Sequence, residues 1–280
     1  MIPAGRPFFK MSGSGNDFVF IDARETPPGP LGSSEAVKAI CARGTGVGAD
    51  GVVFLLRPEK GTIRMRYLNS DGSIAALCGN ATLCTARLVS EMGAANGSEL
   101  EIETESGIVP ARFVGGRPEI DLSPPEQVTE RFAAPLKAGE LRIGFVVVGV
   151  PHLVVLCEDV ERADVVGRGR KLRHHPELGH GANVNFVSRS RGGGWRIRTY
   201  ERGVESETLA CGTGAVAAGV VLAAWAEGGA EVALETRSGL TLRVRLRTLE
   251  GALRPSLSGE ARLVFTGALG ELPLGRGEAI

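Results

Sequence analysis

The sequence has 280 residues, 43% of them hydrophobic, and its 32 basic residues balance 32 acidic ones to a formal net charge of +0. That length suits two modest domains or one large one with a real core. No basic surplus points to nucleic acid, and no acidic tail points to a solvating segment. The five cysteines, Cys41, Cys78, Cys84, Cys157 and Cys211, are an odd count in a chain too large to need stapling. No secretory apolar region is expected in Met1 to Phe20, which Lys10 and a Gly-Ser-Gly-Asn-Asp run interrupt. The apolar runs Val146 to Leu156 and Gly214 to Ala226 are too short to span a bilayer comfortably. A soluble cytoplasmic protein with free thiols and no membrane or nucleic-acid partner is expected.

In chain order, Phe8 to Ile21 reads as strand, glycine loop, strand. Ser33-Ser34-Glu35 caps a helix over Ala36 to Ala42. Gly46 to Gly51 is a turn-rich approach to a strand at Val52 to Leu56, and Ile63 to Tyr67 alternates as a strand before the turn Asn69 to Gly72. A helix follows from Cys78 to about Glu91, ending at Gly93. Leu100 to Thr104 and Ile108 to Phe113 form a hairpin about Ser106-Gly107.

The second half repeats this order. Gly48-Ala49 and Gly181-Ala182 lie 133 positions apart (181 − 48), as do Cys78 and Cys211 (211 − 78). Ile63-Arg-Met-Arg-Tyr67 answers Trp195-Arg-Ile-Arg-Thr199, and Ile102 to Gly107 answers Leu234 to Gly239 at an offset of 132 (234 − 102). Ordered matches at nearly constant offset argue for internal duplication. The expected architecture is α/β (α+β): two pseudo-symmetric domains, each a β-sheet barrel wrapped around a central helix. The halves are set at residues 1–122 and 123–263, about the Pro-rich stretch Leu122 to Glu126, and residues 264–280 can return to the first half.

Each half holds a cysteine followed by Gly, a small polar residue and a run of small apolar residues: Cys78-Gly79-Asn80 and Cys211-Gly212-Thr213. A thiol at a helix start meets free backbone N–H groups and the positive end of the helix dipole, which favours the thiolate. Two such sites suggest two reactive thiols facing one substrate in a cleft between the halves. Cys41, Cys84 and Cys157 have no repeat partner and read as inert core residues. The N–H groups of Gly79-Asn80 and Gly212-Thr213 form anion sites, with N-capping by Asn80 and Thr213 the plainer alternative. His174, His175 and His180 show no metal-ligand spacing with the cysteines, so no metal site is expected.

Lys10-Met-Ser-Gly-Ser-Gly-Asn-Asp-Phe18, Gly46 to Asp50, Asn69 to Ser73, Cys78-Gly-Asn80, Pro151-His152, Asn183-Val-Asn-Phe186, Tyr200-Glu-Arg-Gly203 and Thr208 to Ala215 run in one order through nearly the whole chain. This set closely resembles the diaminopimelate epimerase family of cofactor-independent amino-acid racemases. The resemblance implies no pyridoxal phosphate or other cofactor, no metal, and interconversion of LL- and meso-diaminopimelate on the route to lysine and peptidoglycan. It makes Cys78 and Cys211 the two bases, with His152 and Glu201 supporting the second thiol. It assigns substrate binding to Asn16, Asn69, Gly79, Asn80, Asn183, Glu201, Arg202, Gly212 and Thr213. Family members are often dimers.

The sequence departs from the family pattern at three places. Ala81-Thr82-Leu83 replace the usual Gly, variable residue and Arg, Val150 replaces the Asn before Pro-His, and the segment from Arg202 to Glu207 is one residue longer. Val150 bears on the distal end of the substrate, so a racemase of another amino acid on the same scaffold stays open. A dithiol redox protein also stays open, although Arg202 and the anion-binding glycines have no task in one.

Overall fold

The computed structural model describes residues 4–94, 99–190 and 192–272. The chain forms two units: the first runs to Pro118 and resumes at Ala261, and the second is Glu119–Glu260. The crossing lies just ahead of the Pro-rich stretch at Leu122, because residues 119–121 already pair with a strand of the second unit.

In chain order the strands and helices are β1 (Pro7–Gly13), β2 (Asn16–Asp22), α1 (Ser34–Cys41), β3 (Gly51–Leu56), β4 (Ile63–Asn69), α2 (Gly79–Glu91), β5 (Glu99–Thr104), β6 (Gly107–Val114) and β7 (Arg117–Asp121). They continue as β8 (Glu126–Thr129), β9 (Glu140–Val148), β10 (Val150–Cys157), α3 (Val165–Arg173), β11 (Asn183–Arg189), β12 (Trp195–Glu201) and β13 (Ser206–Thr208). The last are α4 (Gly212–Ala224), β14 (Glu231–Glu235), β15 (Thr241–Leu249), β16 (Ala252–Ser258) and β17 (Ala261–Ala268).

Within the first unit β17, β1 and β2 are antiparallel neighbours, β2–β3 and β4–β5 are parallel, and β3–β4 and β5–β6 are antiparallel. The β1–β2 hairpin turns on Ser14 and Gly15, both at positive φ (55° and 97°), the backbone a two-residue hairpin needs. Ser33 Oγ accepts a hydrogen bond from Ala36 N at 3.2 Å and starts α1 as its sequence indicates. Ala36, Val37, Ile40 and Cys41 of α1 pack on Val19, Ile21, Val52 and Phe54, one face of the sheet. The other face wraps α2, which touches β17, β1, β4, β5 and β6.

Within the second unit the same order recurs. β8–β9 and β9–β10 are antiparallel, β10–β11 and β12–β14 parallel, and β11–β12 and β14–β15 antiparallel. α3 fills the β10–β11 crossover as α1 fills β2–β3, and α4 fills β12–β14 as α2 fills β4–β5. The sequence repeat reappears as matched pairings. Ile63 pairs with Ile102 and Arg64 with Glu103, while Trp195 pairs with Leu234 and Arg196 with Glu235. Each unit is therefore a barrel-like sheet curled about one helix, the architecture the repeat implies.

α4 is buried on nearly every side, and strands β8, β9, β10, β11, β14, β15 and β16 surround it. Small residues make this possible. A Cβ on Gly219 would lie 2.8 Å from Val244 Cγ1 and 3.1 Å from its Cβ. Alanine would gain about 1 kcal/mol of helix propensity there, but forcing it against a stiff valine costs about 1–3 kcal/mol. Gly219→Ala is expected to lower the urea midpoint of unfolding, and adding Val244→Ala to recover part of the loss. A raised midpoint for Gly219→Ala alone would show that the helix does not approach its sheet this closely.

Candidate functional site

Each unit places one cysteine at the same local position. Cys78 is the N-cap of α2 with φ −132° and ψ 112°, and Cys211 is the N-cap of α4 with φ −129° and ψ 113°. The helices thus start one residue after each cysteine. Asn80 and Thr213 sit at the second helical position, and the N-capping alternative for them is overturned. The first intrahelical N–H bonds run from Thr82 to Cys78 O and from Ala215 to Cys211 O, both 2.9 Å. The N–H groups of residues 79–81 and 212–214 therefore have no acceptor within their helices, and each cysteine stands beside a cluster of backbone donors.

In the first unit Cys78 is half-buried, and its Sγ lies 4.0 Å from Asn16 Oδ1. Asn80 Nδ2 donates to the same oxygen at 3.4 Å. Asn16 is oriented from behind: its Nδ2 donates to Asp50 Oδ2 at 2.5 Å. Asp50 in turn accepts from Arg43 at 2.7 Å, and Arg43 also pairs with Asp17 at 2.6 Å. Lys10 donates to Asp17 at 2.6 Å and to the Gly48 carbonyl. Burial pushes the Asp17 carboxyl up, but bonds from Arg43 and Lys10 outweigh it and hold the group below the ordinary carboxylate range. This anchored network joins Asn16, Asn80 and Cys78. Asn69 stands apart from it, donating to Ser73 Oγ at 3.0 Å inside its own turn.

In the second unit strand alternation sorts the side chains. Leu153, Val155, Val184, Phe186 and Tyr200 pack with α3 on the outer face. Their alternates His152, Asn183, Asn185 and Thr199 therefore face the α4 side. Cys211 is 9% exposed, and its Sγ lies 3.6 Å from Thr213 Oγ1. Asn183 Oδ1 accepts from Arg202 N at 2.7 Å, and the Arg202 guanidinium donates to Gly181 O at 3.3 Å. Glu201 ends β12, one residue before Arg202. The longer loop that follows is pinned by Glu205, which accepts from Arg173 at 3.0 Å and Tyr200 at 3.2 Å.

His152 is fully buried. Its Nδ1 lies 3.2 Å from Asn185 Nδ2. Burial, and then the Arg202 cation, pull its pKa down to about 3, so the imidazole is neutral. Cys41, Cys84 and Cys157 are buried, and burial pushes the Cys41 and Cys157 thiols up to about 12. Those thiols stay protonated, as core residues should. Among the described residues no group of three or more His, Cys, Asp or Glu is arranged to hold a metal ion.

Asp50, Asn185 and Thr199 have no role that the sequence alone assigns, although each lies within a motif or repeat stretch: Gly46 to Asp50, Asn183 to Phe186 and Trp195 to Thr199. For Asn185 the signal is its place two residues from Asn183 in a strand, hence on the same face.

The duplicated fold is one shared by phenazine-biosynthesis and racemase structures. A Bacillus anthracis phenazine biosynthesis protein of the PhzF family has a TM-score of 0.74 at 18% identity, covering 95% of this chain and 99% of that one. A probable proline racemase from Agrobacterium radiobacter has a TM-score of 0.70 at 18% identity, covering 98% of this chain and 94% of that one. Sequence narrows the class. The family model for diaminopimelate epimerase matches residues 8–120 and 144–263. A Gemmatimonas aurantiaca protein described as diaminopimelate epimerase is 48% identical over 278 residues, 95% of this chain and 99% of its own length. The chain belongs to the diaminopimelate epimerase family of isomerases.

The buried histidine has a consequence for stability. Unfolded, His152 binds a proton near 6.5, and folded only near 3. Between these values the unfolded chain holds more protons, so this group makes stability fall as pH drops from 6.5 toward 3. His152→Gln is expected to shrink the loss of urea midpoint between pH 7 and pH 4. An undiminished loss in the variant would mean that His152 charges freely in the folded protein.

Proposed function

We propose that the protein interconverts LL- and meso-2,6-diaminopimelate without pyridoxal phosphate or metal, by proton exchange with Cys78 and Cys211. The observation that carries this reading is the matched pair of N-cap cysteines, each at the head of a 13-residue helix. Family membership and the 48% identical relative support the substrate.

Epimerisation removes a poorly acidic α-hydrogen and returns one to the opposite face. One sulfur, as thiolate, takes the proton, and the other, as thiol, donates its own. The two protonation states are exchanged after each turnover. Charge developing on the α-carboxylate is met by the first-turn N–H groups of Gly79-Asn80 and Gly212-Thr213, each such donor worth about 3 kcal/mol in the transition state. Asn80 Oδ1 is buried and has no donor among the described residues, which suits a substrate ammonium. At the distal end Arg202 takes the second carboxylate and Glu201 the second ammonium. Asn16, Asn69 and Asn183 complete the binding set. Asn183 Oδ1 accepts from Arg202 N, which fixes the amide and leaves its nitrogen as a donor for the substrate. His152 lies buried beside the second thiol's helix and supports it.

Among the described residues no helix is long and apolar enough to cross a membrane. A cytoplasmic location and a homodimer accompany the reading. A second reading, racemisation of a different amino acid, draws on Val150. This half-buried residue pairs with Val148 across Gly149 where the family carries an asparagine.

Chiral chromatography of reaction mixtures separates the two. The reduced protein is expected to convert LL-diaminopimelate to the meso form and to leave single L-amino acids unchanged. Cys78→Ala and Cys211→Ala are each expected to lower kcat by about 10²–10⁴-fold. Conversion of a monoamino acid in place of diaminopimelate would install the second reading, and full activity in either variant would remove the two-base assignment.

A further inference from the structure

Asn185 lies at the centre of a fully buried polar cluster on the inner face of the second unit. Its Nδ2 donates to Leu153 O at 3.0 Å. A carbonyl oxygen can only accept, so this contact identifies the amide nitrogen without appeal to the shape of the side chain. On the other side Thr199 Oγ1 donates to Asn185 Oδ1 at 3.0 Å, across the paired positions Asn185 and Thr199 of β11 and β12. Both ends of the amide are thus fixed. The second hydrogen on Nδ2 points at His152 Nδ1, 3.2 Å away.

An N–H aimed at an imidazole nitrogen needs a lone pair there. Nδ1 is then the bare nitrogen, and in the neutral ring the proton resides on Nε2. That Nε2 is buried and has no acceptor among the described residues. The cluster also abuts the reactive end of α4. A Cβ on Gly214 would overlap Asn185 Oδ1 and come within 3.2 Å of Cys211 Sγ. Asn185 therefore stands directly behind the first turn that carries the thiol.

We propose that Asn185, itself oriented by Thr199 and Leu153, is a positioning residue that holds His152 as the neutral Nε2–H tautomer, so that His152 serves the reaction as a hydrogen-bond donor rather than as a proton-accepting base. The burial and the Arg202 cation that keep the ring neutral act in the same direction. The acceptor is an anionic group of the reaction: the substrate carboxylate or a thiolate. Asparagine is specifically suited to the position. Aspartate would offer only acceptors to Nδ1 and would draw the proton to that nitrogen, leaving Nε2 bare or the ring charged.

The role of this tautomer in turnover rests on the epimerase reading, but the tautomer itself is observable without substrate. The chain has four histidines, so ring nitrogen NMR of protein labelled with ¹⁵N-histidine, with His152→Gln to assign the signal, reports on His152 directly. In the wild type the expected pattern is a bare Nδ1 and a protonated Nε2, unchanged from pH 6 to pH 8. Asn185→Asp is expected to move the proton to Nδ1 or charge the ring, and to lower kcat more than 10-fold with a smaller change in KM. Thr199→Val, which frees the amide to turn over, is expected to give mixed tautomers and an intermediate kcat, and it serves if Asn185→Asp does not fold.

A wild-type His152 protonated on Nδ1, or charged at pH 7, overturns the proposal. So does a tautomer unmoved in the folded variant, or one that switches with kcat intact. A protein inactive on every amino acid, yet showing the expected wild-type tautomer, would remove the epimerase reading and leave the positioning of His152 by Asn185 standing.

Discussion

A thiol held at the N-cap of a helix buried inside its own sheet is the constraint on which both units depend. Burying the helix demands small residues at close approaches, as Gly219 against Val244 shows. Ending it at a cysteine leaves three first-turn N–H groups beside the sulfur without helical acceptors. A buried helix end of this kind must be met by polar groups or by a ligand. The strands supply the polar groups by alternation, one face feeding the apolar core and the next residue along facing the helix. The topology thus brings Asn16 to Cys78 and sets Asn185, with His152 beside it, behind the first turn of α4.

The two units solve this problem with the same topology but different chemistry. In the first, Lys10, Arg43, Asp17 and Asp50 form an ion network behind Asn16, whose neutral amide reaches the sulfur. In the second, a neutral cluster of Thr199, Asn185, His152 and the Leu153 carbonyl stands behind the first turn of α4. The departures from the family pattern fit into these surroundings. Ala81, Thr82 and Leu83 are fully buried, and the Thr82 hydroxyl donates to the Cys78 carbonyl at 2.9 Å, tightening the turn below the thiol. The longer loop after Arg202 is fastened by Glu205, which adopts a positive φ of 56°.

Much of this was legible in the sequence, because duplication leaves its mark at fixed offset. The Ile63 and Trp195 strands, the Ile102 and Leu234 strands and the two cysteines all occupy corresponding places in the sheets. The small-residue run after Cys211 announced a helix surrounded on all sides. What escaped was the set of contacts made between residues far apart in the chain. Asp50 reaches Asn16 across 34 positions and Asn185 reaches His152 across 33, distances over which a single sequence carries no register. Asn80 and Thr213 fit capping statistics, yet Cys78 and Cys211 hold the cap positions, with extended backbone and no side-chain capping bond. Asn69 matches a binding motif, and one of its two amide hydrogens is used within its own turn by Ser73 Oγ.

The central claim is that two different sulfurs handle the hydrogen, one on each side of the α-carbon. The most direct test is a short reaction with LL-diaminopimelate in deuterated water, stopped after a few per cent conversion and read by mass spectrometry of the separated stereoisomers. Two bases require the product to carry one deuterium at the inverted carbon while the recovered substrate stays almost wholly protiated. Product that retains the original protium would show a single group moving the hydrogen between faces, and would contradict the account.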